Sequence, residues 1–247
     1  MPVFPPRDRY IEGFEEGVKE SYAIGLEEGK AQFAFVDHIE SISFGNVSAD
    51  DETALRHYPN MTFLRAKKLD YLFFKNYAVE TVGDVYAPQA TSIQGAFRTC
   101  SVSEVGVINV PNATNLAYLF YDSGSPTKIG GIYAPKAAAW DSVFYGCGRL
   151  VSIGGKLDFS NAISHPSSTF YLCKLLEQVE FVAGSIHLGV DLKTCPKLND
   201  VSIQSIVDGF ADMTGQETVT LTLHADVKAK LTETQIATLT GKNVTIA

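Results

Sequence analysis

One spacing constrains this chain more than any other feature. Phe74, Phe97, Phe120, Phe144, Phe170 and Leu192 follow one another at steps of 23, 23, 24, 26 and 22 residues. Three residues after each stand Tyr77, Cys100, Ser123, Cys147, Cys173 and Cys195. Eight or nine after each comes a β-branched residue: Val82, Val105, Ile129, Ile153, Val179 and Val201. The segments between carry a second pattern. "TVGDVYAPQATSIQGAF" (81–97), "EVGVINVPNATNLAYLF" (104–120) and "KIGGIYAPKAAAWDSVF" (128–144) place glycine, an apolar pair, proline and alanine alike. "SIGGKLDFSNAISHPSSTF" (152–170) keeps the glycines and loses the proline. A period of this length predicts stacked units, each burying its apolar side only against its neighbours.

Within a unit, residues 104–110 and 128–134 are short and β-branched, as strands of a parallel stack are. Pro88, Pro111 and Pro135 end those strands, because proline cannot donate to a ladder. The stretch that follows, such as "ATNLAYLF" (113–120), has a helix-like pattern leading back to the phenylalanine. The expected fold class is an α/β repeat, a solenoid with a stacked parallel sheet.

The pattern F-x-x-C-x-x-L-x-x-I, seen in "FYGCGRLVSI" (144–153) and "FYLCKLLEQV" (170–179), resembles the BspA-like leucine-rich repeats of bacterial and phage surface proteins. The resemblance covers residues 55–201. It departs from the pattern at Ser123 and Tyr77, where cysteine is usual, and in the long fourth unit around "SHPSS". It implies a leucine-rich-repeat solenoid over residues 39–201.

Repeat arrays need closed ends. In "VSIQSIVDGFADMTG", Ile203, Ile206, Val207 and Phe210 fall at i, i+3, i+4 and i+7, one face of a closing helix. "TVTLTLH" (218–224) alternates like a strand, and Thr232 with Gln235 has capping-box spacing. Residues 202–247 therefore read as an α/β C-terminal cap. The tail also resembles the closing segment of such repeat proteins in phages and prophages of gut bacteria. At the other end, Ile11, Phe14, Val18, Tyr22 and Leu26 recur at three and four residues, predicting a helix in a segment covering residues 1–38. Gly13, Gly17, Gly25 and Gly29 interrupt it, each costing about 1 kcal/mol against alanine. The segment reads as an attachment or oligomerisation helix that forms against a partner, or alternatively as a frayed, solvated helix or one packed on the first unit.

The formal charge of −8, with no Lys/Arg block, argues against nucleic acid as the main partner. No run of 18 apolar residues predicts a membrane span, and the start lacks the basic end and apolar run of a secretory signal. The four cysteines lack the close pairing of a zinc site, and all occupy one position of the repeat, whereas a catalytic residue would be singular. They are expected to be free thiols filling a tight corner. His38, His57, His165, His187 and His224 share no spacing, and the acidic run at 49–52 lacks a calcium ligand ladder. No metal, cofactor or catalytic residue is expected, and the chain reads as non-enzymatic.

One periodic surface feature remains. The residues after each aromatic, Lys75, Arg98, Tyr121, Tyr145, Tyr171 and Lys193, align in a stack, so three tyrosines form a row with basic residues at its ends. Arg98, Tyr121, Tyr145 and Tyr171 are the candidate binding residues, for sugar rings or an interface core. The alternative is that the rings simply stack and cover the edge. With the resemblance, the expectation is a phage virion protein of tail, baseplate or head fibre. It would bind a host-surface glycan or protein and be held as a homo-oligomer, or to other virion proteins, through residues 1–38. A bacterial cell-surface adhesion or interaction module is the alternative.

Overall fold

A computed structural model describes residues 21–27, 30–35, 43–163 and 168–247. Its main sheet is built from parallel pairs at a nearly constant offset. β3 (His57–Tyr58), β5 (Thr81–Val82), β7 (Glu104–Asn109), β8 (Lys128–Tyr133) and β9 (Ser152–Ile153) lie side by side, with His57, Thr81, Glu104, Lys128 and Ser152 in register. β4 (Met61–Thr62), β6 (Val85–Tyr86) and the second halves of β7 and β8 form an adjoining row, registering Met61, Val85, Ile108 and Ile132. The period in the sequence is thus the pairing offset: about 24 residues bring the chain back one strand spacing, about 4.8 Å, from where it left. Val82, Val105, Ile129 and Ile153 from the first row, and Met61, Val85, Ile108 and Ile132 from the second, point inward and are buried.

Side chains complete the ladder where the rows meet. Asn60 Oδ1 accepts the Asp84 N–H at 2.8 Å, and Asp84 Oδ1 accepts that of Val107 at 2.8 Å. The backbones crowd here. A Cβ on Gly106 would lie 2.3 Å from Asp84 Oδ1, and one on Gly130 2.8 Å from the Gly106 carbonyl carbon. Glycine at this place is a close-approach requirement.

The return path departs from expectation. Residues 113–120 form no helix. The N–H groups of Leu116, Tyr118, Phe120 and Asp122 donate to the carbonyls of Ala139, Asp141, Val143 and Tyr145, while Leu119, Tyr121 and Ser123 donate three residues back. Tyr118 and Asp122 take φ of 60° and 53°, which no right-handed helix admits. A helix would satisfy itself and leave the neighbouring carbonyls orphaned, so the bonds across the stack prevail.

Beneath this path the phenylalanine rings stack: Phe73–Phe97 at 5.3 Å, Phe97–Phe120 at 5.0 Å, Phe120–Phe144 at 5.8 Å and Phe144–Phe170 at 5.6 Å. The first ring is Phe73, not Phe74, which corrects the sequence series by one residue. Phe74 is half-buried on the outside, and Tyr77 is 42% exposed while Asn76 is buried in its place. The series also fails at its last β-branched member. Val201 is 58% exposed, and the buried Ser202 takes the position, donating to Glu177 O at 3.1 Å and accepting from Val179 N at 2.9 Å.

At the N-terminal side, β1 (Ser21–Glu27) pairs antiparallel with β2 (Lys30–Phe35), and β2 pairs parallel with β4. This overturns the expected helix for residues 21–27 and 30–35, Tyr22 and Leu26 included. "SYAIGLE" and "KAQFAF" alternate apolar residues with a period of two, the glycines penalise a helix, and the edge of β4 offers unpaired backbone groups. Ile11, Phe14, Val18 and His38, like His165, lie outside the described residues.

The C-terminal segment matches its pattern. β10 (Val190–Leu192), β11 (Val219–Leu223) and β12 (Val244–Ile246) form a parallel sheet, with α1 (Asp200–Gly209), α2 (Ala225–Lys228) and α3 (Glu233–Gly241) between them in sequence. α1 is capped by Asn199 and buries Ile203, Ile206 and Val207, with Phe210 at its end. In α3, Thr232 and Gln235 exchange both capping-box bonds. Lys242 Nζ donates to Val207 O at 3.0 Å and Phe210 O at 2.7 Å, tying the tail to the end of α1. The described residues are thus an α/β arrangement of parallel sheets with few helices.

Candidate functional site

The cysteine row is structural. Cys147 Sγ donates to Phe120 O at 3.2 Å, Cys173 to Phe144 O at 3.1 Å and Cys195 to Phe170 O at 3.5 Å, each one turn of the chain back. Ser123 Oγ does the same to Phe97 O, and Asn76 Nδ2 donates to Phe44 O at 2.7 Å. Cys100 differs, donating to its own Phe97 O at 3.1 Å. All four thiols are buried and free. Burial pushes Cys100 up to about 11 and Cys195 up to about 12, and raises Cys147 and Cys173 well above the ordinary thiol range, the neighbouring thiols adding to the effect. Protonated donors at this position satisfy a carbonyl; they are not nucleophiles.

Opposite each buried phenylalanine, one residue further along, an outward row runs parallel to the inner stack. Its members are Phe74, Arg98, Tyr121, Tyr145, Tyr171 and Lys193. Tyr121 stacks on Tyr145 at 4.8 Å with planes 11° apart, and Tyr145 on Tyr171 at 5.1 Å and 30°. The Arg98 guanidinium lies between Phe74 and Tyr121, 5.7 and 5.1 Å from their centroids, with Tyr118 at 5.8 Å. Lys193 Nζ closes the other end, 6.0 Å from Tyr171, while paired with Asp191 at 2.8 Å. Lys75, expected in the row, instead lies over the Phe74 ring at 5.1 Å. Left-handed residues flank the row, Tyr118 and Asp122 in one turn and Ser142 and Gly146 in the next.

The structure therefore brings Arg98, Tyr121, Tyr145 and Tyr171 together, but in a way that restricts their use. Their faces are spent on one another, so a sugar ring cannot stack between them. What the row presents is ring edges, phenolic hydroxyls at one-strand spacing, and a cation at each end. Arg98 Nε is buried without a hydrogen-bond partner, and among the described residues no carboxylate pairs with the guanidinium. The phenol of Tyr145 is shifted upward, first by desolvation and then by Tyr121, Tyr171 and Asp122, so the row stays uncharged at its middle.

Other candidates disperse. His57 faces Thr81 and Glu80, His187 lies between the carbonyls of Ser185 and Ala162, and His224 caps α2. Asp51 of the acidic run accepts from Thr53 within its own turn. Among the described residues no three His, Cys, Asp or Glu side chains gather into a group fit to hold a metal ion, and no helix is long and apolar enough to cross a membrane.

The sequence reading passed over one further row. Tyr86, Asn109 and Tyr133 stand two residues before Pro88, Pro111 and Pro135 and register on β6, β7 and β8. The alignment of "VYAP", "INVP" and "IYAP" held that signal.

Comparison with protein-family models, curated proteins and solved structures returns no match.

Proposed function

We propose that the chain is a non-enzymatic binding and structural protein: a leucine-rich-repeat solenoid of the BspA-like type, carried on a phage particle and recognising a host or partner surface. Support for the solenoid comes from the register itself, in which parallel partners recur at offsets of 24, 23, 24 and 24 residues from His57 to Ser152. The observation that carries the binding role is the outward row of stacked aromatic edges between Arg98 and Lys193. A stack needs its inner phenylalanines to hold together; an outer aromatic row with an arginine that no described carboxylate neutralises is surplus to that need. Aromatics and arginine are the residues from which interface cores are built. In this reading residues 1–38 attach the chain to the particle or to its own copies.

Particles sedimented from cultures of the encoding organism test the placement. The chain is expected in the particle fraction at fixed stoichiometry, and the chain lacking residues 1–38 is expected to be absent from it. Recovery in the cell-envelope fraction alone replaces the virion with a bacterial surface module. For the site, Tyr121→Ser, Tyr145→Ser and Tyr171→Ser together are expected to reduce attachment to host cells at least tenfold; undiminished attachment by the folded triple variant removes the row as the site.

A further inference from the structure

The outer face of β6, β7 and β8 carries a slot that the stacked row does not use. Val85, Ile108 and Ile132 point into the core, so Tyr86, Asn109 and Tyr133 point out. Tyr86 is 41% exposed and Tyr133 55%. Two strand spacings, about 10 Å, separate them, with Asn109 at the floor. Among the described residues neither ring stacks on another, unlike Tyr121, Tyr145 and Tyr171. Asn109 Oδ1 is buried and accepts no hydrogen bond. Toward the start of the same strands lies a groove lined by Gly83, Asp84, Glu104, Gly106, Val107 and Lys128.

We propose that this slot and groove bind a saccharide chain, with a pyranose ring seated between Tyr86 and Tyr133 and a ring hydroxyl donating to Asn109 Oδ1. The inference rests on reading the chain as a binding protein and names the ligand class and the residues. Two free aromatic faces accept the apolar faces of a sugar, and the polar walls accept and donate to its hydroxyls. A buried acceptor without a partner is completed by a donor that arrives with the ligand. The competing occupants fit worse. A peptide adding as a strand needs a free edge, and β7 is paired on both sides, to β5 and β6 and to β8. A protein interface needs about 800 Å² per partner, far more than a slot two strands wide. Asp84 and Glu104 repel a phosphate backbone.

The test is calorimetric titration of the full chain with hexasaccharides of glucose, of mannose and of N-acetylglucosamine. Saturable binding to at least one is expected. It is weakened about tenfold by Tyr133→Ala and by Asn109→Ala, and left unchanged by Glu217→Ala, an exposed residue just before β11. The Tyr133 ring is largely in solvent, so its variant is expected to unfold at the wild-type temperature, which separates lost binding from lost folding. Absence of binding to all three sugars, or wild-type affinity in both single variants, overturns the proposal. If host attachment through Tyr121, Tyr145 and Tyr171 survives that failure, the slot alone is discarded; if both fail, the reading as a binding protein falls with it.

Discussion

A single side-chain donor decides what the corner after each phenylalanine is for. The recurring Cys, Ser or Asn closes a bond to a backbone carbonyl one turn back, or, at Cys100, to its own phenylalanine carbonyl. The position therefore requires a small donor and does not require a thiol. Its titration has a definite sign. Thiols whose ordinary value is 9.0 are raised to about 11 at Cys100 and about 12 at Cys195 by burial. The unfolded chain thus releases these protons before the folded one does. Their contribution to stability is complete below pH about 9 and is lost as pH climbs from there through 11 to 12. Urea unfolding is expected to show the midpoint falling over that window, less steeply in the Cys100→Ser, Cys195→Ser double variant. At pH 8 a thiol reagent should label none of the four cysteines until denaturant is added. The spacing of this position was legible in the sequence. Its phase slipped by one at Phe73 and Phe74, because two adjacent phenylalanines satisfy the same period and only burial tells the stacked ring from the outward one.

Elements were legible where their signals are local. α1 and α3 were readable because an amphipathic face and a capping box are fixed by neighbours within a few residues. Thr232→Ala is accordingly expected to cost about 1 kcal/mol, read as a lower thermal midpoint, while Thr232→Ser should cost far less. The expected helices at 113–120 and at 21–27 and 30–35 failed for the complementary reason. In the first, Tyr118 and Asp122 adopt left-handed backbone so that every second N–H can reach the neighbouring carbonyl. In the second, an available strand edge recruits a sequence whose glycines already disfavour a helix. Neither partner is visible within the segment itself. The slot at Tyr86, Asn109 and Tyr133 was hidden in the same way: its residues share a column of the alignment, but that the column faces outward is settled by which side of the strand meets the core.

At the scale of the molecule, the proposed solenoid has each layer stabilised by the next, so its ends carry a burden that its middle does not. α1 sits on the last layer, where Ile186 and Phe210 form a bridge and Ser202 and Ser205 bond to residues 177–181. Removing residues 200–247 strips that cover from Val179, Phe181 and Ile186, all buried in the full chain. The truncated chain is expected to aggregate, measured by light scattering; a dispersed, cooperatively unfolding product would show that the segment is not a cap.

The stack also shows where its own length is free to vary. Carbonyl to N–H, equivalent residues advance 24 positions from Thr114 to Ala138, but 25 from Ala138 to Ile163. The Phe120 N–H reaches Val143 O, 23 positions on, but that of Phe144 reaches Thr169 O, 25 positions on, yet Phe144 and Phe170 still stack at 5.6 Å. Two surplus residues have been absorbed without disturbing the rows on either side. A sheet position cannot do this, since a one-residue slip there turns every side chain to the wrong face. Ile163, 82% exposed, therefore marks a position where a foreign peptide spliced in for display is expected to leave the stacked phenylalanines on either side undisturbed.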